Sequence, residues 1–74
     1  AVAEESGKEN GKININSATV ELLDTLPEIG PSKAKDIVVY REQNGGYKSI
    51  EDIMNVSGIK EATFSKIKDL IKTE

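Results

Sequence analysis

The chain has 74 residues, a formal net charge of −3, no cysteine and no histidine. That length makes one small domain with a single modest core, and the missing side chains exclude disulfides and thiolate or imidazole metal sites. Cys- and His-based nucleophiles are equally absent, so only carboxylates are left for catalysis.

Residues 1–11, AVAEESGKENG, are polar, carry a net −2 and show no apolar period, so they are read as a disordered tail or linker. Neither a basic-then-apolar signal pattern nor an apolar run of about 18 residues occurs in the sequence. Order is expected from Lys12, and residues 12–74 form one domain with nine basic and ten acidic side chains. A nearly neutral domain has no broad basic face, so any contact with nucleic acid rests on local lysines and backbone donors. Ile13 and Ile15 alternate with polar neighbours in a short extended lead-in, followed by the turn and cap residues Asn14, Asn16 and Ser17.

A first helix is predicted from Thr19, its N-cap, to Thr25, with Val20, Leu22, Leu23 and Leu26 on its apolar side and Pro27 ending it. A second runs from Pro31 to about Gln43, burying Ala34, Ile37, Val38 and the stem of Arg41, and stops at Asn44-Gly45-Gly46. Tyr47 is read as a core anchor at the junction, with base stacking as the lesser alternative. Ser49 and Asp52 make an acidic relative of the capping box for a third helix that packs Ile50, Ile53 and Met54. A fourth is expected from about Lys60 to Lys72, burying Phe64, Ile67, Leu70 and Ile71 and leaving Ser65, Lys68 and Lys72 in water.

The stretch Leu26 to Ile37, LPEIGPSKAKDI, is a sharp turn feeding a helix. Gly30 permits a positive φ, and Pro31 suits the first helical position, where a missing N–H costs nothing. A helix start of this kind leaves backbone N–H groups unpaired and carries partial positive charge, which favours an anion such as phosphate. Sliding the chain by 30 residues lays this stretch on Val56 to Ile67, VSGIKEATFSKI, and pairs Leu26 with Val56, Ile29 with Ile59 and Ile37 with Ile67. The register extends back to Thr19 on Ser49 and Leu23 on Ile53, so the chain is an internal duplication. Two helical hairpins that cover one another give an all-α, pseudo-two-fold pair.

LPEIGPSKA and VSGIKEATF resemble the helix-hairpin-helix motif: apolar, Pro, Gly, apolar, Gly, three variable residues, Ala. With the INxxT lead-in and the YRExxGxYKSxEDI bridge, the chain from Lys12 to Ile71 is similar to the C-terminal domain of the ComEA family of competence DNA receptors. The resemblance implies a SAM-like tandem helix-hairpin-helix fold of four main helices. It also implies sequence-independent binding of double-stranded DNA outside the cytoplasmic membrane, on its extracellular face or in the periplasm. Delivery of that DNA to an uptake machinery is part of the same implication. An N-terminal membrane anchor is then expected upstream of a chain that begins at Ala1. Carried over residue by residue, Gly30 matches the second motif glycine and Gly58 the first. Ser32, Lys33 and Lys60 stand at helix openings where they can meet phosphate. The halves depart from the motif at Glu28, where a glycine is usual, at Ser57 in place of proline, and at Lys60 in place of the second glycine.

Three functions compete at this stage: a duplex-DNA-binding module, an enzyme, and a protein-interaction scaffold in a secretion or membrane complex. Catalysis lacks clustered carboxylates, because Glu51-Asp52 is the only adjacent acidic pair after the tail and capping accounts for it. No cofactor, metal or small-molecule substrate is expected.

Overall fold

A computed structural model of the chain describes residues 8–9 and 11–73. Its elements are β1 (Lys8–Glu9), β2 (Lys12–Asn14), α1 (Val20–Leu23), α2 (Pro31–Asn44), a 3₁₀ helix (Ile50–Asn55), α3 (Glu61–Ile67) and β3 (Ile71–Lys72). The four helices form the body, and the expected all-α double hairpin is what the chain builds. Three short strands close it, in the order β1-β2-β3.

The strands amend two readings. Lys8 and Glu9, read as part of the tail, form β1, which pairs antiparallel with β2 through Lys8↔Ile13 and Glu9↔Lys12. Gly11, at φ 76°, supplies the left-handed residue of that tight connection. The rest of the expected tail, residues 1–7 and 10, lies outside the described residues. The last helix ends at Ile67, not near Lys72, since Ile71 and Lys72 pair in parallel with Ile13 and Asn14. Ile13 N–H donates to the Leu70 carbonyl at 2.8 Å, and Ile15 N–H to that of Lys72 at 2.9 Å. Ile71, in β3, enters the core, while Leu70, expected inside, lies in the turn before it and is 39 % exposed. Lys72, expected in water, is half-buried in β3. Parallel strands require a long crossover, and here the whole helical body is that crossover.

Inside, the repeat is visible as packing. Leu23, Leu26, Ile29, Ala34 and Ile37 are buried, as are their counterparts Ile53, Val56, Ile59, Phe64 and Ile67. Thr19 caps α1, its hydroxyl accepting the Leu22 N–H at 3.1 Å. The Asp52 carboxylate accepts the N–H groups of Lys48 and Ser49 at 3.0 and 3.3 Å, which occupies Asp52 in capping the 3₁₀ helix, while Glu51 is exposed. α2 ends at Gly45, left-handed at φ 75°.

Two polar side chains join the lead-in to the body. The Asn16 amide donates to the carbonyls of Tyr47 at 2.9 Å and Thr73 at 3.0 Å, and its oxygen accepts the Tyr47 N–H at 2.6 Å. Gly46 makes room for it: a Cβ there would lie 3.0 Å from the Asn16 oxygen, and φ is 108°. Arg41, read only as an apolar stem, directs its guanidinium to the carbonyls of Ile15 and Ala18 at 3.1 and 2.9 Å. Tyr47 is 4 % exposed, so the anchoring role holds and stacking on bases does not. Its ring stacks on Tyr40 with centroids 5.2 Å apart, and its hydroxyl donates to the Ile37 carbonyl at 2.8 Å.

Asn16→Ala removes three hydrogen bonds that tie the lead-in, the bridge between repeats and the C-terminal strand. At roughly 1 kcal/mol each, it should cost about 2–3 kcal/mol in chemical denaturation. Burial, and secondarily the neighbouring Tyr40, raise the Tyr47 phenol well above its ordinary value, partly offset by Arg41. Below pH ~10 the phenol is protonated in both folded and unfolded chains and its contribution is intact. Above that pH the unfolded chain ionises first, so stability should fall by up to about 1.4 kcal/mol per pH unit. Denaturation midpoints from pH 9 to 11.5 should show this fall, and Tyr47→Phe should lose that part of it.

Candidate nucleic-acid interface

Each hairpin turn is a four-residue β-turn closed by one backbone bond, Ile29 N–H to the Leu26 carbonyl at 3.2 Å and Ile59 N–H to that of Val56 at 3.0 Å. The third residue of such a turn takes positive φ in type II geometry. Glu28 sits there at φ 67° and Gly58 at φ 90°. The reading that gave this role to Gly30 is therefore corrected: Gly30 is extended, at φ −92° and ψ −176°, and a Cβ on it would meet nothing within 4 Å. Gly30 is instead the N-cap of α2, and Lys60, its counterpart 30 residues on, is the N-cap of α3 at φ −119° and ψ −170°. That shared extended geometry explains why a lysine is tolerated where the motif usually has glycine.

Both helix starts lack a hydrogen bond from the N-cap side chain. In α2, Pro31 occupies the first helical turn, no acidic residue lies there, and Ser32 is exposed. α3 is shorter and carries Glu61 in its first turn, so hairpin one presents the stronger positive end. Lys60 is exposed and Lys33 half-buried.

What brings the two turns together is Lys33. Its Cε lies 3.3 Å, and its Cγ 3.8 Å, from where a Cβ on Gly58 would stand. The lysine that opens α2 thus lies over the glycine turn of the other hairpin. A contact in the opposite sense comes from Lys66, near the end of α3, whose ammonium is 3.8 Å from the Glu28 carboxylate. The sequence-predicted residues Gly30, Ser32 and Lys33 gather at hairpin one, Gly58 and Lys60 at hairpin two, and Lys33 joins the two groups.

Sequence reasoning missed Lys66. The available signal was the repeat itself, since position 66 falls on Asp36 and the two halves carry opposite charge there.

A family model described as helix-hairpin-helix motif matches residues 8–72. The chain is 51 % identical over 65 residues to ComE operon protein 1 of Bacillus subtilis, covering 88 % of this chain and 32 % of that protein. It is 44 % identical over 61 residues to an uncharacterized protein of Haemophilus influenzae, covering 81 % of this chain and 54 % of the relative. It also matches the endonuclease/exonuclease/phosphatase family domain-containing protein 1 of Xenopus laevis, 46 % over 57 residues, which is 77 % of this chain and 10 % of the relative. The chain therefore spans between a tenth and about half of the length of these relatives.

Positive φ at the two turns predicts opposite responses. Gly58→Ala should destabilise by about 1–2 kcal/mol, because an L side chain is strained there and its Cβ presses on Lys33. Glu28→Gly should stabilise by about 0.5–1 kcal/mol, the released strain exceeding the added freedom of the unfolded chain. Thermal and urea unfolding of the two variants beside the parent measure both.

Proposed function

The chain belongs to the helix-hairpin-helix family as a ComEA-like domain, and from this we propose that it binds duplex DNA without sequence preference, through the backbone phosphates. Family membership supports DNA binding in competence at a coarse level. The finer reading rests chiefly on one observation, the packing of Lys33 against Gly58, which makes a single surface of the two hairpin turns. Two turns presented together match two phosphates across a groove, and phosphate contacts carry no sequence information.

Gly30, Ser32 and Lys33 form one half of the contact and Gly58 and Lys60 the other. In each half, exposed backbone donors and an ammonium converge on a non-bridging oxygen. Exposed lysines scattered elsewhere add little, given a net charge of −3. The role is binding without catalysis, since the nuclease-named relative shares only a tenth of its length with this chain. In the setting that the ComEA resemblance implies, the domain works outside the cytoplasmic membrane, on its extracellular face or in the periplasm. It is tethered there by a segment upstream of this chain and passes DNA to uptake proteins.

Affinity should be weak, with Kd on the order of 10⁻⁴ to 10⁻⁶ M at physiological salt and a log-log salt slope of roughly −3.6 for about four phosphates. Fluorescence anisotropy on two unrelated duplexes measures both. A slope near zero would favour the protein-scaffold reading. Lys33→Gln with Lys60→Gln should abolish detectable binding, whereas the same charge change at the exposed Lys12 and Lys68 should weaken it modestly. Equal losses in the two folded variants would remove the hairpin turns from the interface.

A further inference from the structure

Glu28 is the chain's one described non-glycine residue at positive φ, and it holds the place that Gly58 fills in the other hairpin. A left-handed backbone is unfavourable for glutamate and free for glycine. The ion pair it makes with Lys66 does not offset this, because both side chains are about half exposed, at 48 % and 57 %, and the separation is 3.8 Å. Stability therefore does not account for the residue. Its carboxylate stands at the hairpin turn, where the proposed function puts a phosphate, and it occupies a lysine delivered from the opposite hairpin. Strained residues of this kind concentrate at functional positions.

Resting on the DNA-binding reading above, we infer that Glu28 is a built-in competitor of the DNA phosphate and that Lys66 is a further DNA-contacting residue. In the free domain the Glu28 carboxylate occupies the Lys66 ammonium. When duplex DNA docks, a phosphate takes that ammonium and the carboxylate turns into solvent. The domain thus gives up part of the affinity that Lys66 supplies, and holds DNA loosely enough to release it.

The experiment is a double-mutant cycle on the whole chain, with a 20-base-pair duplex titrated by fluorescence anisotropy at five salt concentrations. The variants are Glu28→Gln, Lys66→Gln and the double variant. Glu42→Gln serves as a charge control, exposed and about 18 Å along α2 from Gly30 at a rise of ~1.5 Å per residue. Circular dichroism first establishes that each variant keeps its helices. Glu28→Gln should bind about three- to tenfold tighter at an unchanged salt slope, because Lys66 meets the same phosphate in both complexes, whereas Lys66→Gln should flatten the slope by about 0.9, the increment for one phosphate contact. Lys66→Gln should cancel that gain, so that the double variant binds no tighter than the parent, and Glu42→Gln should change affinity less than twofold. If Glu28→Gln binds no tighter, or if it tightens equally with and without Lys66, the competitor is ruled out while the parent's own salt-dependent binding still stands. If the parent shows no salt-dependent binding at all, the DNA reading fails and this inference fails with it.

Discussion

The amide of Asn16 is the constraint on which the domain's closure depends. Its three hydrogen bonds hold together the lead-in strand, the bridge between the repeats at Tyr47 and the chain beyond β3 at Thr73. These segments are far apart in sequence, and each also buries apolar side chains: Ile13 and Ile15, Tyr47, and Ile71. With Asn16 in place, Ile13 and Ile15 enter the core and β3 pairs beside β2. The pairing ends α3 at Ile67 and fixes how α3 lies against the first hairpin. The reach of Lys66 to Glu28 and of Lys33 to Gly58 follows from that placement. A half-buried polar side chain can favour one arrangement in this way, because any other loses its hydrogen bonds to these carbonyls and this N–H.

Duplication has produced two halves with one backbone and different chemistry. Both turns close by the same bond, both third residues are left-handed, and both N-caps are extended. The glycines are divided between the halves: hairpin one keeps the N-cap glycine and hairpin two the turn glycine. A ligand of two-fold character such as duplex DNA would meet a weakly asymmetric grip, with the better helix start in one half and the unstrained turn in the other.

Helix positions, the repeat and the apolar faces were legible in the sequence because each depends on local spacing. Pro31 at a helix start, Gly45 at a stop and the buried pairs from Leu23/Ile53 to Ile37/Ile67 needed nothing beyond a 30-residue register. The β2–β3 pairing was not legible, since two short apolar alternations nearly 60 residues apart give no sign that they meet. A helical period through Leu70 and Ile71 fitted the sequence equally well. The Asn10-Gly11 dipeptide did carry a hairpin signal, but polar composition around it pointed to a tail. At the interface the motif named the right segments, yet it assigned the positive φ to Gly30 when the turn places it at Glu28. Lys66 escaped altogether, because its partner lies across the fold.

The sheet order has an architectural consequence. Lys8 pairs with Ile13, and Ile13 with Ile71, so where the chain comes in and where it goes out lie two strand spacings apart, on the order of 10 Å. A domain whose ends lie that close behaves as a cassette: it can be spliced into a surface loop of a larger protein without prying the host's flanking segments apart. It can equally be re-threaded, with residues 8 and 73 bridged by a short linker and the chain opened at Gly45, while the packing of both hairpins is retained.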